Sequence, residues 1–423
     1  MRRANAADVW PARLEGHGGP VKGIAVAPSG RSVTTASFDY SVILRSWPEG
    51  REKAIFYGHD AAANAAIFTP DGARVVTAGD DGKVLVWSVD GPSERHAVEV
   101  ELGRHQGKVL HLAISPDGRT VASASWDGRV GLWSLDPSGA IGFLDGHDGP
   151  VNDVAFGADG TRLYSAGYDG TIRLWSVSER RELHKVVRHG FGVNVLAVDE
   201  AAGRLAYGAL DGGIRIVGLD DGVVQATIEH DRTPILAVAA AADGQRFAFG
   251  DGSGVVTIVD AALGRVTQDF PAARGPIWAL AFGPGDTTLL VGGLDSSVAV
   301  WPLDPLRRPD GDNGYTKASE PRSNGERQFM RKCQICHTLT PDTARRAGPT
   351  LHGLFGRPAG TVPGYPYSQT LTSLGIVWDE HTIDALFAEG PDHYIPGSKM
   401  PLQKMANGRD RADLIEYLKE ATR

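Results

Sequence analysis

Short apolar stretches alternating with polar positions fill the chain from residue 9 to residue 303. Val151-Asn152-Asp153-Val154-Ala155-Phe156 and Thr171-Ile172-Arg173-Leu174-Trp175 are typical, with turn residues between them. A period of two, punctuated by Gly and Asp, predicts short antiparallel strands. The pattern also repeats: Gly58-His59 to Trp87, Arg104-His105 to Trp133 and Gly146-His147 to Trp175 are the clearest of seven copies. One register collects Arg45, Trp87, Trp133, Trp175, Val217, Val259 and Trp301, spaced by 42 residues except for a gap of 46 before Trp133. Six residues before each stands Asp39, Asp81, Asp127, Asp169, Asp211, Ser253 or Asp295, usually followed by Gly, which marks a tight turn between two strands. The seventh copy ends at its third strand near Trp301-Pro302, while Val9-Trp10-Pro11-Ala12-Arg13-Leu14 precedes the first copy without a partner. Joining the two would complete the last copy and leave no open sheet edge.

These residues resemble the tryptophan-aspartate repeat family of β-propellers, over about seven-tenths of the chain. The family's structural tetrad is complete in copies 2, 3 and 4: His59, Thr77, Asp81 and Trp87; His105, Ser123, Asp127 and Trp133; His147, Ser165, Asp169 and Trp175. Each looks like a Ser-His-Asp catalytic set, but recurrence once per copy fits a buried network that ties strands together. Copies 5 to 7 carry Tyr207, Phe249 and Val291 in place of the hydroxyl. No rim loop holds a metal cluster, a phosphate cradle or a second haem motif, so binding of other proteins is the expected role. The insertion around Gly91 to His96 is a candidate contact loop.

Residues 304–321 are polar and rich in Pro and Gly, a linker. From 322 to 423 the apolar period becomes helical. Ser323 and Glu326 form a capping box for a first helix that carries Phe329 one turn before Cys333. Ile383, Leu386 and Phe387 lie on one face of a helix over 379–389, closed by Gly390-Pro391. Leu414, Tyr417, Leu418 and Ala421 line a final helix, whose face should pack on Gly325 and Phe329. The fold class expected is therefore two-domain: an all-β seven-bladed propeller at 9–303, a linker, and an all-α domain at 322–423.

Cys333-Gln334-Ile335-Cys336-His337 is the chemical centre of the chain, and it holds the only 2 cysteines. Cys-x-x-Cys-His is the attachment signature of a c-type haem. A zinc site is the alternative, with His352 and His393 as the further ligands it would need. The rest of the composition removes other classes. Hydrophobic residues are 42% and charged residues 22%, and no run of about twenty apolar residues exists to cross a bilayer. Up to residue 314 there are 29 basic and 39 acidic residues, a net of −10; from 315 there are 14 and 12, a net of +2. An acidic large domain argues against a nucleic-acid partner, which needs a basic face.

The C-terminal domain is similar to class I cytochrome c, above all the mitochondrial and bacterial soluble carriers. The resemblance rests on the Cys motif, Gly348 to Arg357, Pro363-Gly364-Tyr365-Pro366-Tyr367, Trp378, and Tyr394-Ile395-Pro396-Gly397-Ser398-Lys399-Met400. It implies one haem c, attached through Cys333 and Cys336, with His337 as proximal and Met400 as distal iron ligand. It further implies that the Pro349 carbonyl holds the His337 ring, and that Tyr367 and Trp378 bond a haem propionate with Tyr365 beside them. Met330 and Met405 are the rival thioethers, but Met330 lies on the proximal helix and Met405 lacks the preceding Pro-Gly turn that aims a side chain inward. Thioether ligation favours ferrous iron, and filling both axial positions closes the metal to substrate. Leu386 and Leu371 depart from the family's tyrosine and asparagine near the distal ligand. The family's ring of lysines is also sparse, leaving Lys332, Arg345, Arg346, Arg357, Lys399 and Lys404.

The function expected is one-electron transfer, with the propeller as a docking platform for a redox partner such as a dehydrogenase, reductase or terminal oxidase. One alternative is a scaffold in which haem senses redox state and alters propeller binding. Another is an enzyme resembling the haem nitrite reductases that pair a cytochrome domain with a haem-bearing propeller; the protein-binding repeat type and the single haem motif argue against it. Met1-Arg2-Arg3 is followed by no apolar stretch, while Ala4-Asn5-Ala6 reads as a signal-cleavage site. An Ala-rich start by accident is the alternative to a removed export signal, so the expectation of a periplasmic protein rests on the haem motif.

Overall fold

The computed structural model describes residues 10–90, 98–228, 233–304, 323–333, 336–341, 348–365, 367, 369–395, 400, 405 and 407–423. The linker, Val9 and the 91–96 loop lie outside these residues, as do residues 396–399. The chain divides into two compact units, Met1–Tyr315 and Thr316–Arg423.

The first unit is a seven-bladed propeller of four-stranded antiparallel sheets. Six blades use four consecutive strands each, from Val21–Tyr57 in blade 1 to Ile235–Pro271 in blade 6. Blade 7 takes three strands from residues 277–302, and its outermost strand is Arg13–Leu14, paired with Ala299 and Val298. The ring is thus closed by the N-terminal segment, as the alternation pattern requires. Gly82, Gly128, Gly170 and Gly212 make the turn after the register Asp with φ of 77°, 86°, 74° and 80°. Blade 1 has Tyr40 at this place with φ 71°, a left-handed conformation that costs a non-glycine residue about 1–2 kcal/mol.

The core lies between blades rather than within one. Trp133 of blade 3, for example, joins Val76, Val84 and Val86 of blade 2 in one buried cluster. Trp87, Trp133 and Trp175 are all essentially buried, each worth roughly 2–3 kcal/mol of transfer free energy.

In the second unit the described residues form helices α1 (Asn324–Lys332), α2 (Gln369–Ser373), α3 (Glu380–Glu389), α4 (Pro391–Tyr394) and α5 (Gly408–Ala421). One isolated antiparallel bridge, Pro358 with Val377, joins the loops between them among the described residues. Ser323 caps α1 by accepting from the Glu326 amide at 3.1 Å. Asp379 and Thr382 form a reciprocal capping box at the start of α3. The α1 and α5 faces meet as their apolar positions predict: the Phe329 and Tyr417 rings lie 5.7 Å apart. A Cβ on Gly325 would overlap the Asp413 carbonyl, so glycine is what lets the helices approach. Asn324 Nδ2 adds hydrogen bonds to Asp410 Oδ1 at 2.9 Å and Asp413 Oδ2 at 2.7 Å.

Candidate cofactor site

Helix α1 delivers the cysteine motif, with Cys333 as its C-terminal cap and its amide donating to the Phe329 carbonyl. The following turn is tight: the Cys336 and His337 amides both donate to the Cys333 carbonyl, at 3.0 and 2.9 Å. Cys333, Cys336 and His337 are therefore gathered on one turn at the helix end. His337 Nδ1 lies 2.7 Å from the Pro349 carbonyl oxygen, which assigns the proton to Nδ1 and leaves Nε2 as the basic nitrogen. Gly348 makes room for that ring, since a Cβ there would lie 2.7 Å from Nδ1 and 2.8 Å from Nε2. The Gly348 amide in turn donates to the Cys336 carbonyl at 2.9 Å.

Burial pushes the Cys333 thiol up to about 12, and the neighbouring Cys336 adds to the shift. An environment that keeps sulfur neutral suits a thioether and opposes the thiolate that zinc demands. Among the described residues, no group of three His, Cys, Asp or Glu gathers to hold a metal ion. His393 is exposed on α4. The residues present thus fit covalent haem attachment.

The core around Cys333 contains Phe329, Leu354, Ile383, Phe387, Met405 and Leu414, with Trp378 and Met400 packed at its edge. Met405, the rival thioether, is held as core: its amide donates to the Phe387 carbonyl at 2.8 Å and its carbonyl accepts from Arg411 at 2.8 Å. Met330's side chain is outside the described residues. Tyr365 and Tyr367 pack edge to face, 4.7 Å between centroids. Burial and Tyr367 raise the Tyr365 phenol, and burial likewise raises Tyr367, so both stay protonated donors. Trp378 is placed by backbone bonds to Gly356 and Arg357. Arg357, one of the sparse basic residues of this domain, is tied into the fold. Its guanidinium donates to the His352 and Thr350 carbonyls at 2.7 and 2.8 Å, pinning the loop that carries Pro349.

The propeller's polar tetrads are structural networks, as their recurrence implies. In blade 3, Trp133 Nε1 donates to Ser123 Oγ at 2.7 Å, His105 Nε2 meets that hydroxyl at 2.7 Å, and His105 Nδ1 meets Asp127 at 2.9 Å. Each hydrogen has an acceptor if the histidine carries its proton on Nδ1. Sequence reasoning keyed on tryptophan missed a further network in blade 1, where His17 meets Thr35 at 2.8 Å and Asp39 at 3.2 Å. There Arg45 stands for the tryptophan and its guanidinium donates to the Glu15 carbonyl. Blade 5 keeps a partial version, His189 Nε2 with Asp211 at 3.0 Å. The spacing of 22 residues from His to Asp, shared by all five pairs, was the signal.

Comparison with known proteins divides the chain in the same way. The family model described as "WD domain, G-beta repeat" matches residues 11–45, 50–88, 98–134, 139–176 and 264–302. The strands of blade 5 and the first three of blade 6, which that model does not match, nevertheless fold as blades. The family model for cytochrome c matches residues 323–422. Over 100 residues the chain is 46% identical to cytochrome c of Sesamum indicum, covering 23% of this chain and 88% of that protein. Cytochrome c of Gossypium barbadense is 44% identical, with 23% and 87% covered, and that of Gibberella zeae 41% identical, with 23% and 92% covered.

Proposed function

The chain belongs to the cytochrome c family through its C-terminal domain, joined to a WD-repeat propeller, and on that premise we propose that it is a periplasmic one-electron carrier with His337 and Met400 as axial ligands and a propeller that docks a redox partner. The observation that carries this reading is the hydrogen bond of 2.7 Å between His337 Nδ1 and the Pro349 carbonyl, beside the buried Cys333. A second-sphere acceptor on Nδ1 orients the ring and raises the basicity of Nε2. When bound, haem c supplies one-electron redox chemistry. The chain's own residues set its terms. Met400 offers a soft neutral sulfur from the edge of the core, and a site with two protein ligands passes electrons without admitting substrate. Tyr367 and Trp378 would donate to a propionate, with Tyr365 beside them in the wall.

Docking is supported by the aromatic side chains that the propeller leaves in solvent. Trp126, Tyr168 and Phe191 are 50%, 59% and 58% exposed, and exposed aromatics are the anchors that interfaces favour. A dehydrogenase, reductase or terminal oxidase fits this role. Covalent haem attachment supports an exported location.

The test is the visible spectrum of the full-length protein, oxidised and reduced, with and without carbon monoxide. One haem per chain and indifference to carbon monoxide are expected. Met400→Ala should lower the potential and admit carbon monoxide. A native protein that binds carbon monoxide readily, or a variant with an unchanged spectrum, overturns the ligand assignment.

A further inference from the structure

The inner strands of the seven blades surround an axial channel of about 310 Å³. Each inner strand carries a bulge at its second residue, where the antiparallel register skips one position. The bulged residues form a ring that lines the channel. Three of them tie neighbouring blades together, since Asn64, Asn152 and Asn194 each donate from Nδ2, at 2.9 Å, to the carbonyl of Val109, Val193 or Ile235 on the next blade. Leu110, Leu236 and Trp278 are apolar.

Lys22 is the seventh, and it is different. Its Nζ lies 4.3 Å from the centroid of the Trp278 ring. Among the described residues it has no hydrogen-bonded or ion-paired partner. The other charges that line this space or act on Lys22 are matched. Asp80 accepts from Lys108 Nζ at 2.6 Å and from Asn64 Nδ2 at 2.7 Å. His111 Nδ1 lies 2.5 Å from Asp153 Oδ1, and Asp153 also accepts from the amides of Val154 and Leu196. Burial opposes the charged form of His111, but the Asp153 carboxylate outweighs it and raises the pKa. With His111 charged, these groups cancel and one positive charge remains, on Lys22. Burial holds that ammonium down at about 8, partly offset by Asp80. A partly buried cation held against a ring, with no ion-paired carboxylate of its own, is open to an anion from solution.

We propose that the channel is a binding site for a small organic monoanion, a carboxylate that pairs with Lys22 while its apolar body lies against Trp278, Leu110 and Leu236. The volume admits one small acid, and the single uncompensated charge selects a monoanion. The site uses no residue of the cytochrome c domain. Deprotonation of His111 and of Lys22 both remove positive charge, so affinity falls as pH rises.

The test is calorimetric titration of the full-length haem protein with phenylacetate, acetate and inorganic phosphate. Phenylacetate is expected to saturate one site per chain and to bind about tenfold tighter than acetate, because its ring buries further apolar surface. Lys22→Met keeps the stem and removes the charge; it should weaken phenylacetate about tenfold or more, whereas Lys22→Arg should stay within about threefold. Affinity should be lower at about pH 9.5 than at about pH 6.5. Leu236→Glu, which sets an acid in the same ring, should abolish binding. Undiminished affinity in Lys22→Met or in Leu236→Glu, preference for phosphate over phenylacetate, or no saturation by any of the three overturns the proposal.

Discussion

At the scale of single residues, two positions decide more than their size implies. Gly348 is fixed by the imidazole it faces, because any side chain there enters the space of the His337 ring. Gly348→Ala is expected to tilt the ring off the Pro349 carbonyl, at a cost of about 1–3 kcal/mol for overpacking, and to reduce the haem-to-polypeptide ratio of the purified protein. Val291 shows the opposite defect. It occupies the place of Thr77, Ser123 and Ser165, ten residues before the blade tryptophan. Trp301 Nε1 in that blade is buried with no hydrogen-bond partner among the described residues, whereas Trp87, Trp133 and Trp175 each donate to the hydroxyl. Val291→Thr should supply the acceptor and stabilise the propeller by about 1 kcal/mol, read as a higher midpoint in urea.

Among the elements, the two-residue strand Arg13–Leu14 matters far beyond its length. Leu14 is buried against Val298 and Val300 in the last blade. Without it the final sheet exposes an unpaired edge. Deleting residues 7–15 should lower the melting temperature by at least about 5 °C, since the loss of several kcal/mol moves a domain of this size by that much; an unchanged value would refute the closure. This strand, the turn aspartates and the packing of α1 on α5 were all legible in the sequence, because each follows from a period or a register. The channel ring was not. Period-two alternation assigns Lys22, Asn64 and Trp278 to a sheet face, and only the bulge turns them inward. Nor could the sequence show Arg357 as a loop pin, since that depends on which carbonyls the fold brings within reach.

For the whole molecule, the polar networks act together through pH. Burial alone would raise Asp39, Asp81, Asp127, Asp169 and Asp211, yet hydrogen bonds from His, Arg, hydroxyl and backbone groups outweigh it and hold all five below the usual carboxylate range. Depressed carboxylates contribute stability that is complete above the unfolded value and lost as pH falls through the folded one. Propeller stability should therefore be flat near neutrality and fall progressively below about pH 4. In Asp127→Asn/Asp169→Asn the acid limb should be shallower; a limb as steep as the native one would place the acid sensitivity elsewhere. The closing strand has a consequence of another kind, in time. Arg13 pairs with Ala299, so at a synthesis rate of roughly 5–20 residues per second the first strand waits about 15–60 s before its partner exists. Through that interval six blades can stack while the ring stays open, and the edge meant for residue 299 must pair with nothing else.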